Sequence, residues 1–305
     1  MAVGLALLCV LAAGCGDAAR TYAPGSSSAG GAHARFQVVA AENFWGSIAA
    51  QLAGDRATVR SILVNPNTDP HDYGPTPADA RTLASTNLAI VNDIGYDPWA
   101  SRLLAASPQS GRTVLSVGDL LGLQAGDNPH QWYSPASVSR VIDQIVADYD
   151  ELDPQDASYF AERKQRFQTT ALARYDQLRR EIRSRYAGVP VGYSESIFEP
   201  LGEDLGLKLL TPLSFAKAIS EGADLSAQDK QTVDTQVQQH QVKVWVFNSQ
   251  NLTPDVQRVN QLAKAAHIPI ATVTETLSPA SDTFEQWQVA QLQALARALR
   301  QATGR

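Results

Sequence analysis

The chain has 305 residues, 44% of them hydrophobic and 18% charged, and 31 acidic against 25 basic side chains leave a net charge of −6. This composition is that of a globular protein with room for two domains of ordinary size. The acidic balance, with no basic run or stripe, excludes a general nucleic-acid binder. Cysteine occurs only at Cys9 and Cys15, which excludes a disulfide framework and any metal site built from thiolates.

Residues 1–14 carry no charged side chain and are nearly all Ala, Val, Leu and Gly. They read as the signal peptide of an exported protein and are too few for a typical membrane-spanning helix. The string Leu11-Ala12-Ala13-Gly14-Cys15 resembles a bacterial lipobox, which implies that Cys15 is lipidated and becomes the new N-terminus. Two departures stand out: no basic residue precedes the apolar run, and Ala12 sits where Leu is commoner. The alternative is an ordinary cleaved signal with an incidental cysteine. Residues 15–35, rich in Ala, Gly, Ser and Thr, read as a flexible tether, with His33 inert within it.

From Phe36 the pattern alternates. Strands are expected over 36–41, 57–63, 88–92 and 114–117, with helices over 45–53, 76–84 and 96–106, which argues for a parallel sheet in an α/β fold. Pro77 fits the first turn of its helix. Helical patterns then cover 135–150 and 154–186, broken at Leu152-Asp153-Pro154. The second contains no Gly or Pro after Pro154 and, at 1.5 Å per residue, would run for about 45 Å. Strands resume over 189–193, 208–210, 242–247 and 268–273, and a last amphipathic helix covers 283–302. The chain therefore reads as an N-terminal α/β lobe over 36–151, a linking helix over 154–187 and a C-terminal α/β lobe over 188–305. Two lobes with parallel sheets flanked by helices are joined by one long rigid helix. No repeat of fixed period is present, although the lobes share a texture.

Two strings carry the chemistry: Asp-Pro-His-Asp-Tyr-Gly-Pro-Thr-Pro over 69–77 and Asp-Asn-Pro-His-Gln-Trp-Tyr-Ser-Pro over 127–135. Each places a histidine directly after a proline, in a segment unsuited to a helix or a central strand. Imidazole is the commonest protein ligand for transition metals, and a stiff loop holds it with little ordering cost. Ligands of open α/β sheets gather at the carboxyl ends of strands. Following those ends leads to His71, His130, the Ser194-Glu195-Ser196 segment and the Thr274-Glu275-Thr276 segment. Two come from each lobe, so a cleft between the lobes would unite them. His240 and His267 sit where helices end before strands and read as C-terminal caps.

These motifs, with the turn Asn92-Asp93-Ile94-Gly95-Tyr96-Asp97-Pro98-Trp99, resemble the cluster A-I metal-binding lipoproteins, the zinc/manganese solute-binding family of bacterial ABC importers. The resemblance covers nearly all of the chain beyond the tether. It implies a metal site of His71, His130, Glu195 and Glu275, with Glu199 and Asp282 as fallbacks for the third and fourth positions. Glu275 departs from the commoner Asp and adds a methylene of reach. It also implies capture of one divalent ion, Mn2+ or Zn2+ with Fe2+ possible, and delivery to an ABC permease and its ATPase subunit. The protein would be a monomer, tethered by its lipid to the outer face of the cytoplasmic membrane.

Two carboxylates beside two imidazoles tip the expectation towards Mn2+ or Fe2+ over Zn2+, as does the lack of a histidine-rich loop between His71 and His130. The alternative reading is a metal-dependent hydrolase, which needs an open coordination position and a general base. No His-Glu-x-x-His string occurs, and four ligands would leave no position open. A surface adhesin role is a further, secondary alternative.

Overall fold

A computed structural model describes residues 35–66, 68 and 73–305. The expected signal peptide, Cys15, His33, the tether up to residue 34 and His71 lie outside the described residues. In the first lobe β1 (Phe36–Glu42), β2 (Ala57–Leu63), β3 (Leu88–Val91) and β4 (Thr113–Ser116) pair in parallel in the order β2-β1-β3-β4. The helices α1 (Asn43–Ala53), α2 (Pro77–Ala84), α3 (Pro98–Ala106) and α4 (Val117–Leu121) follow the four strands. All four residues of β3 are buried, as a strand covered by helices on both faces requires. Pro77 and Pro98 each lead a helix, where the missing N–H costs nothing. Thr76 and Asp79 close a capping box on α2.

The connection between lobes starts with α5 (Pro135–Leu152), capped by Ser134. A 3-10 turn (Pro154–Asp156) leads into α6 (Ala157–Arg166), then a π-helical turn (Phe167–Ala171) and α7 (Ala173–Tyr186). The linking segment is thus helical along the expected length but carries a π turn in its middle. Thr169 Oγ1 donates to Gln165 O at 2.8 Å, a back-bond of the kind that competes with the helical ladder.

The second lobe repeats the winding of the first. Strands β5 (Pro190–Tyr193), β6 (Lys208–Leu209), β7 (Val244–Asn248) and β8 (Ile270–Val273) are parallel in the order β6-β5-β7-β8. Around them lie α8 (Glu199–Asp204), α9 (Leu213–Ser220), α10 (Ala227–Gln238), α11 (Pro254–Ala265) and α12 (Phe284–Thr303). His240 and His267 both have φ of +54° and close α10 and α11 in the left-handed conformation of a helix stop. Among the described residues no helix is long and apolar enough to cross a membrane.

One apolar core runs through both lobes, from Phe36, Phe44 and Trp45 through Trp132 and Tyr175 to Phe284 and Trp287. Phe44 stacks on Trp132 with ring centroids 4.0 Å apart. Polar contacts add to the join: Phe284 N donates to Ser47 Oγ, Gln51 Nε2 to Glu285 Oε2, and Leu277 N to Asn43 Oδ1. The start of α12 is therefore pinned to α1, so the linking helix is not the sole bridge between lobes.

Under the first lobe's site-facing edge lies a buried acid pair. Glu42 ends β1 and Asp97 precedes α3, and both are fully buried. Asp97 accepts from Asn92 N at 2.9 Å and Asp93 N at 2.6 Å. Burial, then repulsion from Asp97, pushes the Glu42 carboxyl well up; burial raises Asp97 to about 6. The pair holds protons in the fold that the unfolded chain releases. Its contribution to stability is therefore complete below the unfolded carboxyl range and is lost as pH rises through the folded values. Glu42→Gln, a permanent donor towards Asp97, should raise the melting temperature by about 4 °C at pH 8 and by nothing near pH 4, read from thermal melts across that range.

Candidate metal site

His130 follows Pro129 and enters a 3-10 turn (Gln131–Tyr133), with no solvent exposure. Its Nδ1 lies 2.8 Å from Asn128 Oδ1, which also accepts from His130 N at 3.1 Å. Asn128 Nδ2 donates to Ser196 O and to Glu199 Oε2 at 2.8 and 3.1 Å, so the amide's orientation is set by its partners and Oδ1 is the acceptor. Nδ1 is therefore the protonated nitrogen of the neutral ring, which leaves the Nε2 lone pair as the one a metal could use. Nε2 lies 3.6 Å from Glu275 Oε2 in the other lobe. The rings of Trp132 and Tyr96 wall the imidazole at 5.2 and 6.1 Å.

Glu275 follows β8 and is 4% exposed. Asn248 Nδ2 donates to its Oε1 and the Tyr96 hydroxyl to its Oε2, each at 2.9 Å. Glu195 follows β5, is 1% exposed, and accepts from Asn251 Nδ2 on Oε2 at 3.1 Å. The described structure thus draws His130 and Glu275 into contact, and ties Glu195 to them through the loop that carries Asn248 and Asn251. Among the described residues alone, no three His, Cys, Asp or Glu side chains converge closely enough to hold an ion. His71, the fourth predicted ligand, is not among them.

The fallback residues take other places. Glu199 accepts from Asn128 and from the Tyr193 hydroxyl, and burial raises its carboxyl above the ordinary range. It buttresses the residue that orients His130. Asp282 is partly exposed in the turn before α12, and among the described residues its side chain makes no hydrogen bond to His130, Glu195 or Glu275.

Several residues that position the site carry no ligand chemistry of their own. They come from the ends of β3 and β7, two strand ends that carry amides instead of ligands. After β3, Asn92 accepts from Trp45 Nε1 at 3.0 Å and donates to Pro129 O at 3.0 Å, fixing the backbone that delivers His130. Asp93, Ile94 and Gly95 then turn with φ of +59°, +57° and +81°, a strained run for a β-branched residue. Tyr96, the next residue, is the one that reaches Glu275. After β7, the Asn-Ser-Gln-Asn string over 248–251 was the available signal: a cluster of amides at a carboxyl edge. A cavity of about 360 Å3 between the lobes, lined by Ile94, Asn128, Ser196, Glu199 and Lys217, adjoins the Nδ1 side of His130.

The family model described as "Zinc-uptake complex component A periplasmic" (ZnuA) matches residues 38–298. The chain is 29% identical over 185 residues to the iron-binding protein YfeA of Yersinia pestis, covering 57% of this chain and 58% of that one. It is 26% identical over 210 residues to the manganese-binding lipoprotein MntA of Halalkalibacterium halodurans, covering 66% and 65%. The high-affinity zinc uptake system protein ZnuA of Bacillus subtilis matches at 22% over 215 residues, covering 65% and 66%. In each case the matched stretch spans less than two thirds of the relative. Among solved structures, the Mn-bound periplasmic metal binding protein of Candidatus Liberibacter asiaticus superposes with a TM-score of 0.70 at 20% identity, over 87% of this chain and 100% of that one. The binding protein FpvC of Pseudomonas aeruginosa in complex with Mn2+ gives 0.69 at 19%, over 88% and 99%. These two likenesses establish the two-lobe fold. By the match over residues 38–298, the chain belongs to the family of the zinc-uptake complex component A periplasmic proteins.

Proposed function

We propose that this protein is the extracytoplasmic binding component of an ABC importer, which captures one divalent transition metal ion and presents it to a membrane permease served by an ATPase subunit. The observation that carries the reading is the contact between His130 Nε2 and Glu275 Oε2, 3.6 Å apart across the two lobes, both buried. An imidazole nitrogen and a carboxylate oxygen buried this close together offer a divalent cation two donors of the kinds it binds. Glu195 and His71 complete the ligand set, with the ion as cargo, Mn2+, Zn2+ or Fe2+. The relatives named above are described as an iron-binding protein, a manganese-binding lipoprotein and a zinc uptake system protein, which supports the class of ion.

The rest of the reading concerns the chain's organisation. Residues 1–14 are a signal peptide, Cys15 carries the lipid, and 15–35 tether the folded part to the outer face of the membrane. The lobes over 36–151 and 188–305 flank the link over 154–187, and the protein acts as a monomer. Its task is capture without turnover, since all four ligands are spent on the ion and none of them serves as a base. The relatives' lipoprotein description supports the anchor.

His130→Ala and His71→Ala should each weaken Mn2+ and Zn2+ binding by more than about 100-fold, beyond the loss expected for an outer partner. Competition against a fluorescent chelator reads this, and wild-type affinity in either variant would overturn the ligand set. One ion per chain by elemental analysis, with no hydrolytic turnover, is the accompanying expectation. Because an imidazole binds metal only when neutral, lowering the pH from about 7.5 to about 5.5 should release the ion progressively; equilibrium dialysis across that range would show it. Affinity unchanged at the acid end would argue against histidine ligation.

A further inference from the structure

Capture of an ion makes no direct use of the buried acids Glu42 and Asp97, yet burying two carboxyls side by side is costly. Both are fully buried, and no basic side chain compensates either of them. They are hydrogen-bonded to each other, which requires a proton on one of them, because an ionised carboxylate only accepts. Asp97 takes two backbone donors, Asn92 N on Oδ2 and Asp93 N on Oδ1, and such donors favour the charged form. No other residue offers Glu42 a donor. The shared proton therefore sits on Glu42, and Glu42 donates to Asp97.

Asp97 in turn closes the loop from Asn92 to Tyr96, and both ends of that loop reach the site. Asn92 Nδ2 donates to Pro129 O at 3.0 Å, directly before His130, and the Tyr96 hydroxyl donates to Glu275 Oε2 at 2.9 Å. Between them Asp93 and Ile94 hold positive φ, a conformation that persists only where its surroundings impose it. The residues that follow Glu42 converge on the same two places. Asn43 Oδ1 accepts from Leu277 N at 3.2 Å, just after Glu275. Phe44 stacks on Trp132, just after His130, and Trp45 Nε1 donates to Asn92 Oδ1 at 3.0 Å. The corner between β1 and α1 is thus the point from which the backbone of His130 and the carboxylate of Glu275 are both held.

We propose that Glu42 is a positioning residue of the metal site, whose protonated carboxyl holds Asp97 against the Asn92–Tyr96 loop and so sets where His130 and Glu275 stand. The inference rests on the proposed metal-binding function and deepens it. Without that donor the buried Asp97 carboxylate is one partner short. It then takes up a proton of its own, which weakens its grip on one of the two loop N–H groups. An amide at position 42 still donates, whereas an apolar side chain of similar size does not.

The test measures Zn2+ and Mn2+ affinity of the full chain by competition against a fluorescent chelator, beside the melting temperature of the metal-free protein. Glu42→Gln should bind both ions as the wild type does. Glu42→Leu should weaken both by about tenfold, the loss expected of an outer partner, while its metal-free melting temperature holds or rises because an apolar group replaces a buried acid. A purely structural role would lower melting temperature and affinity together and give glutamine no advantage. Wild-type affinity in Glu42→Leu, or a Glu42→Gln as weak as Glu42→Leu, would overturn the inference while leaving the proposed function standing. A wild-type chain that binds neither ion would remove both. Should Glu42→Leu fail to fold, Glu42→Met, unbranched and more adaptable in a core, carries the same comparison.

Discussion

The hydrogen bond between His130 Nδ1 and Asn128 Oδ1, 2.8 Å long, is the constraint on which the rest of the cleft depends. It assigns the proton of the imidazole and leaves Nε2 to face Glu275. It can do so because Asn128 spends its amide protons on Ser196 O and Glu199, both in the second lobe. A swapped amide would set Nδ2 against the backbone N–H of His130 and oxygen against two acceptors, which costs several hydrogen bonds at a buried position. The orientation of His130 on one lobe is thereby tied to hydrogen bonds made with the other.

Closure is supported at three further places. The start of α12 is bonded to α1 through Ser47 and Gln51, and Leu277, in the loop after β8, through Asn43. The Tyr133 hydroxyl, in the turn after His130, lies 2.9 Å from Thr274 O and 2.7 Å from Gln291 Oε1. Burial holds that phenol well above its ordinary range, so it stays neutral and bonded. The apolar core, continuous from Phe36 to Leu299, then argues for limited relative motion. A pair of lobes sharing one core cannot swing apart without exposing it, at roughly 25 cal/mol for each Å2 of apolar surface. The linking helix is one brace among several, and its π turn shows that straightness was not what the join required.

Much of this was legible in the residues. Period-2 and period-3.6 patterns with Pro-led helix starts brought out both sheets, because buried parallel strands such as Leu88–Val91 are short apolar runs with little else to be. Proline beside histidine singled out His130, and the strand-end rule singled out Glu195 and Glu275, as candidate ligands, and the structure places His130 and Glu275 side by side. What stayed hidden was neutral. Asn128, Asn248, Asn251 and Gln250 titrate over no useful range and ligate no metal in the usual lists, so a search for ionisable groups passes over them. Their signal lies in position: β3 and β7 also end at the carboxyl edge, and their polar tails must bond to something. The left-handed conformation of Ile94 was likewise invisible, since a β-branched residue disfavours positive φ, unlike Asp93 beside it, and only the tertiary structure imposes it.

The same division of labour holds across the cleft. Asn128, in the first lobe, orients the imidazole of His130, while Asn248 and Asn251, after β7 in the second, donate to the carboxylates of Glu275 and Glu195. The residues that orient the nitrogen and those that position the oxygens therefore come from different lobes and can vary independently of one another.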